Sequence, residues 1–226
     1  MAREDGLGTG FFTALTPGDR NILEAESRRR TYPAGTVLFI EGDQAQHVLV
    51  IRRGLIKLTK GAPDGREVVI ELRGAGEILG ELSAIDGEPR SATGVVIEPT
   101  EVLIIGNERF RALLATHASL GASVLTTVVS RLREASARQL EMGTADALGR
   151  VARRLVELSE LRGQLRDGEL SLSSPISQQE LADWAGVSRD AVVRALTTLR
   201  RLGWVDTGRR QFVIRNLEAL RQRAEG

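Results

Sequence analysis

Apolar positions along the chain change rhythm twice. Near the N-terminus, Thr16-Pro17-Gly18-Asp19 carries the features of a helix start: threonine caps, proline suits the first helical position, and Asp19 stands where a reciprocal capping acid would. A short helix to about Arg28 is expected. From Tyr32 to Ile105 the texture changes to short β-branched runs: Thr36–Ile40, Val48–Ile51, Leu55–Leu58, Val68–Ile70, Gly94–Ile97 and Val102–Ile105. Glu41-Gly42-Asp43, Arg53-Gly54 and Pro63-Asp64-Gly65 punctuate them. Short runs at regular spacing, with turn chemistry between them, predict an all-β roll or sandwich.

The rhythm then becomes helical. Asn107 is expected to cap a short helix carrying Phe110, Leu113 and Leu114. A longer helix from about Ser119 to Met142 places Leu125, Val128, Leu132, Ala135, Gln139 and Met142 at alternating spacings of three and four. That is an a/d seam. A helix packed only on its own domain usually shows a wider apolar stripe. The pattern therefore favours a two-helix dimer seam, with polar Gln139 setting its register, over simple packing within one chain. Gly143-Thr144 is expected to be a hinge. Beyond it, Leu148, Val151, Ala152, Leu155 and Leu158 share one helical face, and a loop at Arg166-Asp167-Gly168 leads to a short strand at Leu170–Leu172. Three parts are predicted: a β-roll domain over 11–118, a long dimerisation helix and hinge over 119–143, and a C-terminal domain over 144–226.

The most specific stretch runs from Ser177 to Leu196. Ser177 and Glu180 form a capping box, Gly186 supplies a left-handed residue that ends the first helix, and Ser188 caps a second helix running to about Leu202. Leu181, Ala185, Val187, Val192 and Ala195 form the shared wedge, and small Ala182 allows a close crossing. This is the helix-turn-helix pattern. Such a motif sets the start of its second helix against base edges. Here that start presents Ser188, Arg189 and Asp190, with Arg194 one turn on. Arginine can fork onto guanine, and a carboxylate can accept from cytosine N4. Gln178 and the Ser188 hydroxyl are candidates for holding phosphate. Trp204–Asp206, the turn Thr207–Arg210 and Gln211–Ile214 read as a β-hairpin wing, with Arg209 and Arg210 at the tip beside a passing phosphate backbone. The alternative is an ordinary helical hairpin with a solvated arginine face. Trp184 and Trp204 read as core residues.

Composition narrows the chemistry. Among 226 residues there is no cysteine, which excludes disulfides, thiolate zinc sites, iron–sulfur clusters and cysteine nucleophiles. Two histidines, His47 and His117, are too few for a histidine-rich metal site. No nucleophile–base pairing or metal-ligand spacing suggests an enzyme. No apolar run is long enough for a membrane span, and Met1–Gly6 lacks the apolar core of a signal peptide, so a cytoplasmic protein is expected. The net charge is only +1, yet from Asp146 onward fourteen Arg stand against eleven Asp plus Glu, which directs attention to the C-terminal part for DNA contacts.

One segment in the β region is not explained by strand formation: Gly76-Glu77-Ile78-Leu79-Gly80-Glu81-Leu82-Ser83-Ala84-Ile85-Asp86-Gly87-Glu88-Pro89-Arg90-Ser91-Ala92-Thr93. It resembles the phosphate-binding cassette of cyclic-nucleotide-binding domains. Together with the helix-turn-helix, it makes the chain from about Phe11 to Ala219 resemble the cyclic AMP receptor, or Crp–Fnr, family of bacterial regulators. The resemblance implies an α+β protein: an N-terminal cyclic-nucleotide-binding β-roll of jelly-roll type, a long dimerisation helix and a C-terminal winged helix-turn-helix.

It also implies roles. Gly80, Glu81 and Leu82 match the family's Gly-Glu-Leu turn, Glu81 the acid that accepts from the ribose 2′-hydroxyl, and Arg90 with Ser91 the pair that holds the cyclic phosphate. A structural Glu81–Arg90 ion pair is the plainer alternative. On the long helix, Ala135-Ser136 stands where cyclic-AMP members carry Thr-Ser or Thr-Asn, so Ser136 retains one adenine contact and the threonine hydroxyl is lost. Asp190 replaces the family's common glutamate. The expected protein is a homodimer that reads palindromic double-stranded DNA, is switched allosterically by cyclic AMP, and contacts RNA polymerase if it activates. It would carry no heme, metal or iron–sulfur cluster. The same fold answering to another effector, or active without one, stays open.

Overall fold

The structure, a computed structural model, describes residues 10–162, 164–166, 169–173, 176–208 and 211–225. The chain divides into two compact units, residues 1–61 with 71–135, and residues 62–70 with 136–226.

The first unit opens with α1 (Phe11–Ala14) and α2 (Pro17–Ala25). Thr16 caps α2 as expected: its hydroxyl oxygen accepts from the Asp19 amide at 3.1 Å and donates to the Asp19 carboxylate at 2.7 Å. The helix stops at Ala25, short of the expected Arg28, because Arg28–Tyr32 is recruited as strand β1. That strand lies at a sheet edge, paired antiparallel with β8 (Thr100–Gly106), and its three arginines are exposed. It has no apolar alternation, and only pairing with β8 defines it.

The other strands are β2 (Val37–Phe39), β3 (His47–Arg53), β4 (Ile56–Gly61), β5 (Glu67–Arg73), β6 (Ile78–Leu79) and β7 (Thr93–Val96). They form two four-stranded sheets, ordered β1-β8-β3-β6 and β2-β7-β4-β5. Leu49, Ile51, Leu79 and Val102 of the first sheet meet Ile56 and Val96 of the second in one buried cluster. The opposite face of the first sheet, through Val48, Val50, Leu103 and Ile105, packs on helices through Phe11, Phe12, Leu23, Phe110 and Leu120. A sheet buried on both faces needs continuous apolar strands, which is why β3 reads Val-Leu-Val-Ile without alternation. This is the expected β-roll. Asn107 is the first residue of α4 (Asn107–Thr116) and does not cap it. It is buried, and its amide nitrogen donates to the Ala45 carbonyl at 2.8 Å.

Helix α5 runs from Ala118 to Thr144. Leu120 and Val124 are buried in the helix-facing core, and Val128 packs against it. The expected seam is therefore corrected at Val128. The exposed apolar stripe instead passes through Leu125 (64% exposed), Val129 (38%) and Leu132 (67%). Spacings of three and four admit either of two adjacent valines, and the domain's own core selects between them.

In the second unit, Gly143-Thr144 is helical, contrary to the expected break there, and the helix is interrupted instead at Ala145-Asp146 before α6 (Ala147–Arg162). No proline interrupts the last turn, and Ala145 still donates its amide to Glu141 at 2.9 Å. Buried Glu141 pairs with buried Arg154 of α6 at 2.5 Å. The sheet β11-β12-β10-β9 contains β9 (Gln164–Arg166), β10 (Glu169–Ser173), β11 (Val205–Gly208) and β12 (Gln211–Ile214). Three helices complete the unit, α7 (Gln178–Ala185), α8 (Arg189–Arg201) and α9 (Leu217–Glu225): α8 meets β11, α6 meets β10, and α7 and α9 pack on α6. The α6 face Val151, Ala152, Leu155 and Leu158 is buried. Among the described residues, no single helix is long and apolar enough to cross a membrane.

Candidate effector and DNA-reading sites

Gly80 turns the chain from β6 into α3 (Glu81–Asp86) with φ +84°, and Gly87 ends that helix with φ +79°. Gly80 also makes room. A Cβ there would lie 1.9 Å from Nη1 of Arg90. The backbone of Arg90 is pinned by Gly42, whose amide donates to the Arg90 carbonyl at 2.9 Å, and by Asp43, whose carbonyl accepts from the Arg90 amide at 2.9 Å.

The Arg90 side chain is only 4% exposed. Its Nη2 donates to the His47 carbonyl at 2.6 Å, and the guanidinium carbon lies 4.6 Å from the centre of the Phe39 ring. Its Nη1 is buried and has no hydrogen-bond partner. An unmet charged donor costs roughly 1–3 kcal/mol or more, so such a group requires a reason. Burial lowers the Arg90 pKa, and Glu81 partly restores it. An anion seated on Nη1 would relieve both penalties.

Glu81 is buried, and its carboxylate is held by Arg131 of α5. The Glu81–Arg90 ion pair entertained from the sequence is replaced by this one. Nη2 of Arg131 also reaches Glu77 at 3.1 Å, and Glu77 pairs in turn with Arg73 at 3.3 Å. Burial works against the Arg131 charge, yet Glu81, Glu77 and Glu71 outweigh it and raise its pKa. Sequence reasoning missed Arg131, Phe39 and His47. The first had a signal: Leu120, Val124 and Val128 lead along the inward face of α5 to Arg131, and a charge there needs a buried carboxylate.

The structure thus brings Gly80, Glu81 and Arg90 together. Leu82 is 43% exposed on α3, and Ser91 is exposed beside Arg90. Ser136 is exposed on α5, in the second unit, as is Ala135 at the end of the first.

His47 gives the site a pH signature. Burial first, and Arg90 second, hold its pKa below the ordinary 6.5. The unfolded chain therefore takes up this proton before the folded one. The associated stability is complete above about pH 6.5 and is lost as pH falls toward the folded pKa. In NMR titration, the His47 ring is expected to titrate below 6.5, and Arg90→Ala is expected to move it upward. An unchanged His47 midpoint in that variant would remove Arg90 from its surroundings.

In the second unit the helix-turn-helix forms as the sequence predicts. Both halves of the Ser177–Glu180 capping box are present, and Gly186 adopts φ +63°. Ser188 caps α8 by accepting from the Ala191 amide at 3.2 Å. That bond engages the hydroxyl oxygen proposed for phosphate, although its proton stays free to donate. Leu181, Ala182, Ala185, Val192 and Ala195 are buried in the wedge. Gln178, Ser188, Arg189, Asp190 and Arg194 are all exposed, the last three on α8 itself. Trp184 is buried, with Arg154 5.6 Å from its ring centre, and Trp204 is half-buried. β11 and β12 pair from Val205 with Ile214 to Gly208 with Gln211, forming the wing. Arg209 and Arg210 lie outside the described residues.

Comparison with known proteins bears on both units. The family model for the cyclic nucleotide-binding domain matches residues 29–117, and that for the Crp-like helix-turn-helix domain matches residues 149–223. The chain is 32% identical over 219 residues to the cyclic AMP receptor protein of Thermus thermophilus, covering 97% of this chain and 98% of that one. It is 27% identical over 215 residues to the CRP-like cAMP-activated global transcriptional regulator of Mycobacterium tuberculosis, covering 95% and 96%. Among solved structures, the c-di-GMP responsive global regulator CLP of Xanthomonas campestris aligns with a TM-score of 0.73 at 26% identity, covering 88% of this chain and 99% of that one.

Proposed function

Because this chain belongs to the Crp family of transcription regulators, with a cyclic nucleotide-binding domain and a Crp-like helix-turn-helix, we propose that it is a cytoplasmic homodimer that binds palindromic DNA under cyclic AMP control. The observation that carries the effector half is the buried Nη1 of Arg90, unpartnered above a glycine that cannot be substituted without displacing it. A cyclic phosphate supplies the acceptor that this donor requires, with Ser91 adding a hydroxyl. Glu81 is assigned to the ribose hydroxyl, and Ser136 is assigned to the base on the strength of the family resemblance alone.

The functional parts are taken as an effector domain over 11–118, a coupling helix over 119–143 and a DNA-reading domain over 144–226. Glu81 is tied to α5 through Arg131, so a ligand that re-seats Glu81 acts directly on the helix along which two subunits pair. The Ala145-Asp146 hinge then passes that change to the reading helices. These must lie about 34–36 Å apart to enter successive major grooves. Linkage requires DNA to tighten effector binding by the same factor. Gln178, Ser188, Arg209 and Arg210 position the phosphates, while Arg189, Asp190 and Arg194 read bases. RNA polymerase is the further partner if the protein activates. No catalytic role and no metal, heme or iron–sulfur cluster is proposed.

A second reading keeps the fold and changes the input, favoured by Ala135. Loss of the threonine hydroxyl removes one base hydrogen bond, worth about 0.5–1.5 kcal/mol, and relaxes base choice. Isothermal titration of cyclic AMP into the purified protein, with cyclic GMP beside it, separates the two. Micromolar, cyclic-AMP-selective binding is expected. Absence of binding by either nucleotide removes cyclic AMP as the effector and leaves another ligand, or ligand-independent activity.

A further inference from the structure

Val193 is a residue of the reading helix that base recognition by arginine and aspartate does not use. It is 42% exposed on α8. At about 100° per residue, it sits roughly 40° round the helix from Arg189 and roughly 60° from Asp190, between the two. The buried side of α8 is formed by Ala191, Val192, Ala195, Leu196 and Leu199. The exposed side carries Arg189, Asp190, Arg194, Thr197, Arg200 and Arg201, and among the described residues of α8 Val193 is the one apolar side chain there.

Folding supplies no reason for it. A β-branched residue is a poorer helix former than the arginines around it, and this one has no core to enter. A single exposed valine elsewhere on the surface would need no comment. In the middle of a base-reading face, its chemistry is informative. The major-groove edge of DNA presents one apolar feature, the C5-methyl group of thymine. An aliphatic side chain held between polar readers has that group as its complement, and its rigid χ1 means little freedom is lost on contact.

We propose that Val193 is a specificity-determining residue that selects a thymine in each half-site through contact with its methyl group. This rests on α8 being the DNA-reading helix. It adds an apolar letter to a face otherwise suited to guanine and cytosine.

The test uses the full chain and DNA duplexes enriched from a randomised library, with and without cyclic AMP. Each thymine of the selected half-site is replaced in turn by deoxyuridine, which removes only the methyl group. Affinities are measured by fluorescence anisotropy for the unaltered protein, Val193→Ala and Val193→Thr. One position per half-site is expected to cost the unaltered protein about fourfold on loss of its methyl, and about fifteenfold when both half-sites are changed. Val193→Ala should bind thymine and deoxyuridine duplexes equally, while Val193→Thr retains part of the difference through its remaining methyl. Both variants should melt at the unaltered temperature, since the side chain is exposed. A half-site without such a thymine, or a methyl effect that persists in Val193→Ala, overturns the inference while leaving DNA reading intact. Failure to enrich any duplex, or an enriched sequence unaffected by Arg189→Ala and Arg194→Ala, overturns the DNA-reading function and this inference with it.

Discussion

Arg90→Ala is expected to weaken cyclic AMP binding about a hundredfold or more and to abolish the effector's influence on DNA binding. The guanidinium offers a phosphate a charge-assisted fork, and each such bond contributes roughly 1.5–3 kcal/mol. Losing one or both therefore shifts the dissociation constant by one to several orders of magnitude. Stability should change little, because the substitution removes a buried, partly unpaired charge together with its favourable contacts to Phe39 and the His47 carbonyl. A thermal-shift series makes both points. Without ligand, the two proteins should melt within a few degrees of one another. With ligand at about 100 times the dissociation constant, only the unaltered protein should gain the roughly 2.7 kcal/mol that linkage requires. Arg90→Lys keeps the charge and loses the fork, and should recover a fraction of the affinity. A normal response in Arg90→Ala would end the assignment of this cassette as a phosphate site.

Leu132→Glu should have an effect of similar size on the other function. In the single chain, Leu125, Val129 and Leu132 stand exposed on successive turns of α5, and a glutamate at position 132 is solvated at no cost to the fold. In a dimer paired along that stripe, two carboxylates would face each other across a low-dielectric seam. Sedimentation at micromolar concentration should then show monomers. Palindromic DNA should bind about a hundred- to ten-thousandfold more weakly, because the second half-site no longer benefits from being tethered to the first. Thr126→Glu, about 120° round the helix from Leu132 and also exposed, is the control that should leave the dimer intact. A dimeric Leu132→Glu would place the interface elsewhere.

The reading motif was legible almost residue by residue, because its determinants are local. The Ser177–Glu180 box, Gly186 in the left-handed region and the Ser188 cap each act within a few residues, and each forms where the sequence predicts it. The β-roll was legible as a class for the same reason, since glycine turns and short apolar runs act over short spans. The cassette was read from its resemblance to a family, which supplied Gly80, Glu81 and Arg90. It did not supply the partners Arg131, Phe39 and His47, which lie distant in the chain.

By itself, then, the sequence determined the succession of β-roll, long helix and helix-turn-helix, while the Gly76–Thr93 segment stood out as a candidate phosphate cassette only through its resemblance to a family. Spacing, capping and turn chemistry are interactions among neighbours, and neighbours are written in order. Tertiary structure decided what depended on distant chain segments. Pairing with β8 turned the arginine run at Arg28 into an edge strand, and the helix-facing core drew Val128 inward, leaving Val129 to the exposed stripe. The Ala145-Asp146 break replaced the glycine hinge, where a glycine followed by no proline left the helix free to continue. Burial paired Glu81 with Arg131 and left one nitrogen of Arg90 without an acceptor, and the effector reading rests on that nitrogen.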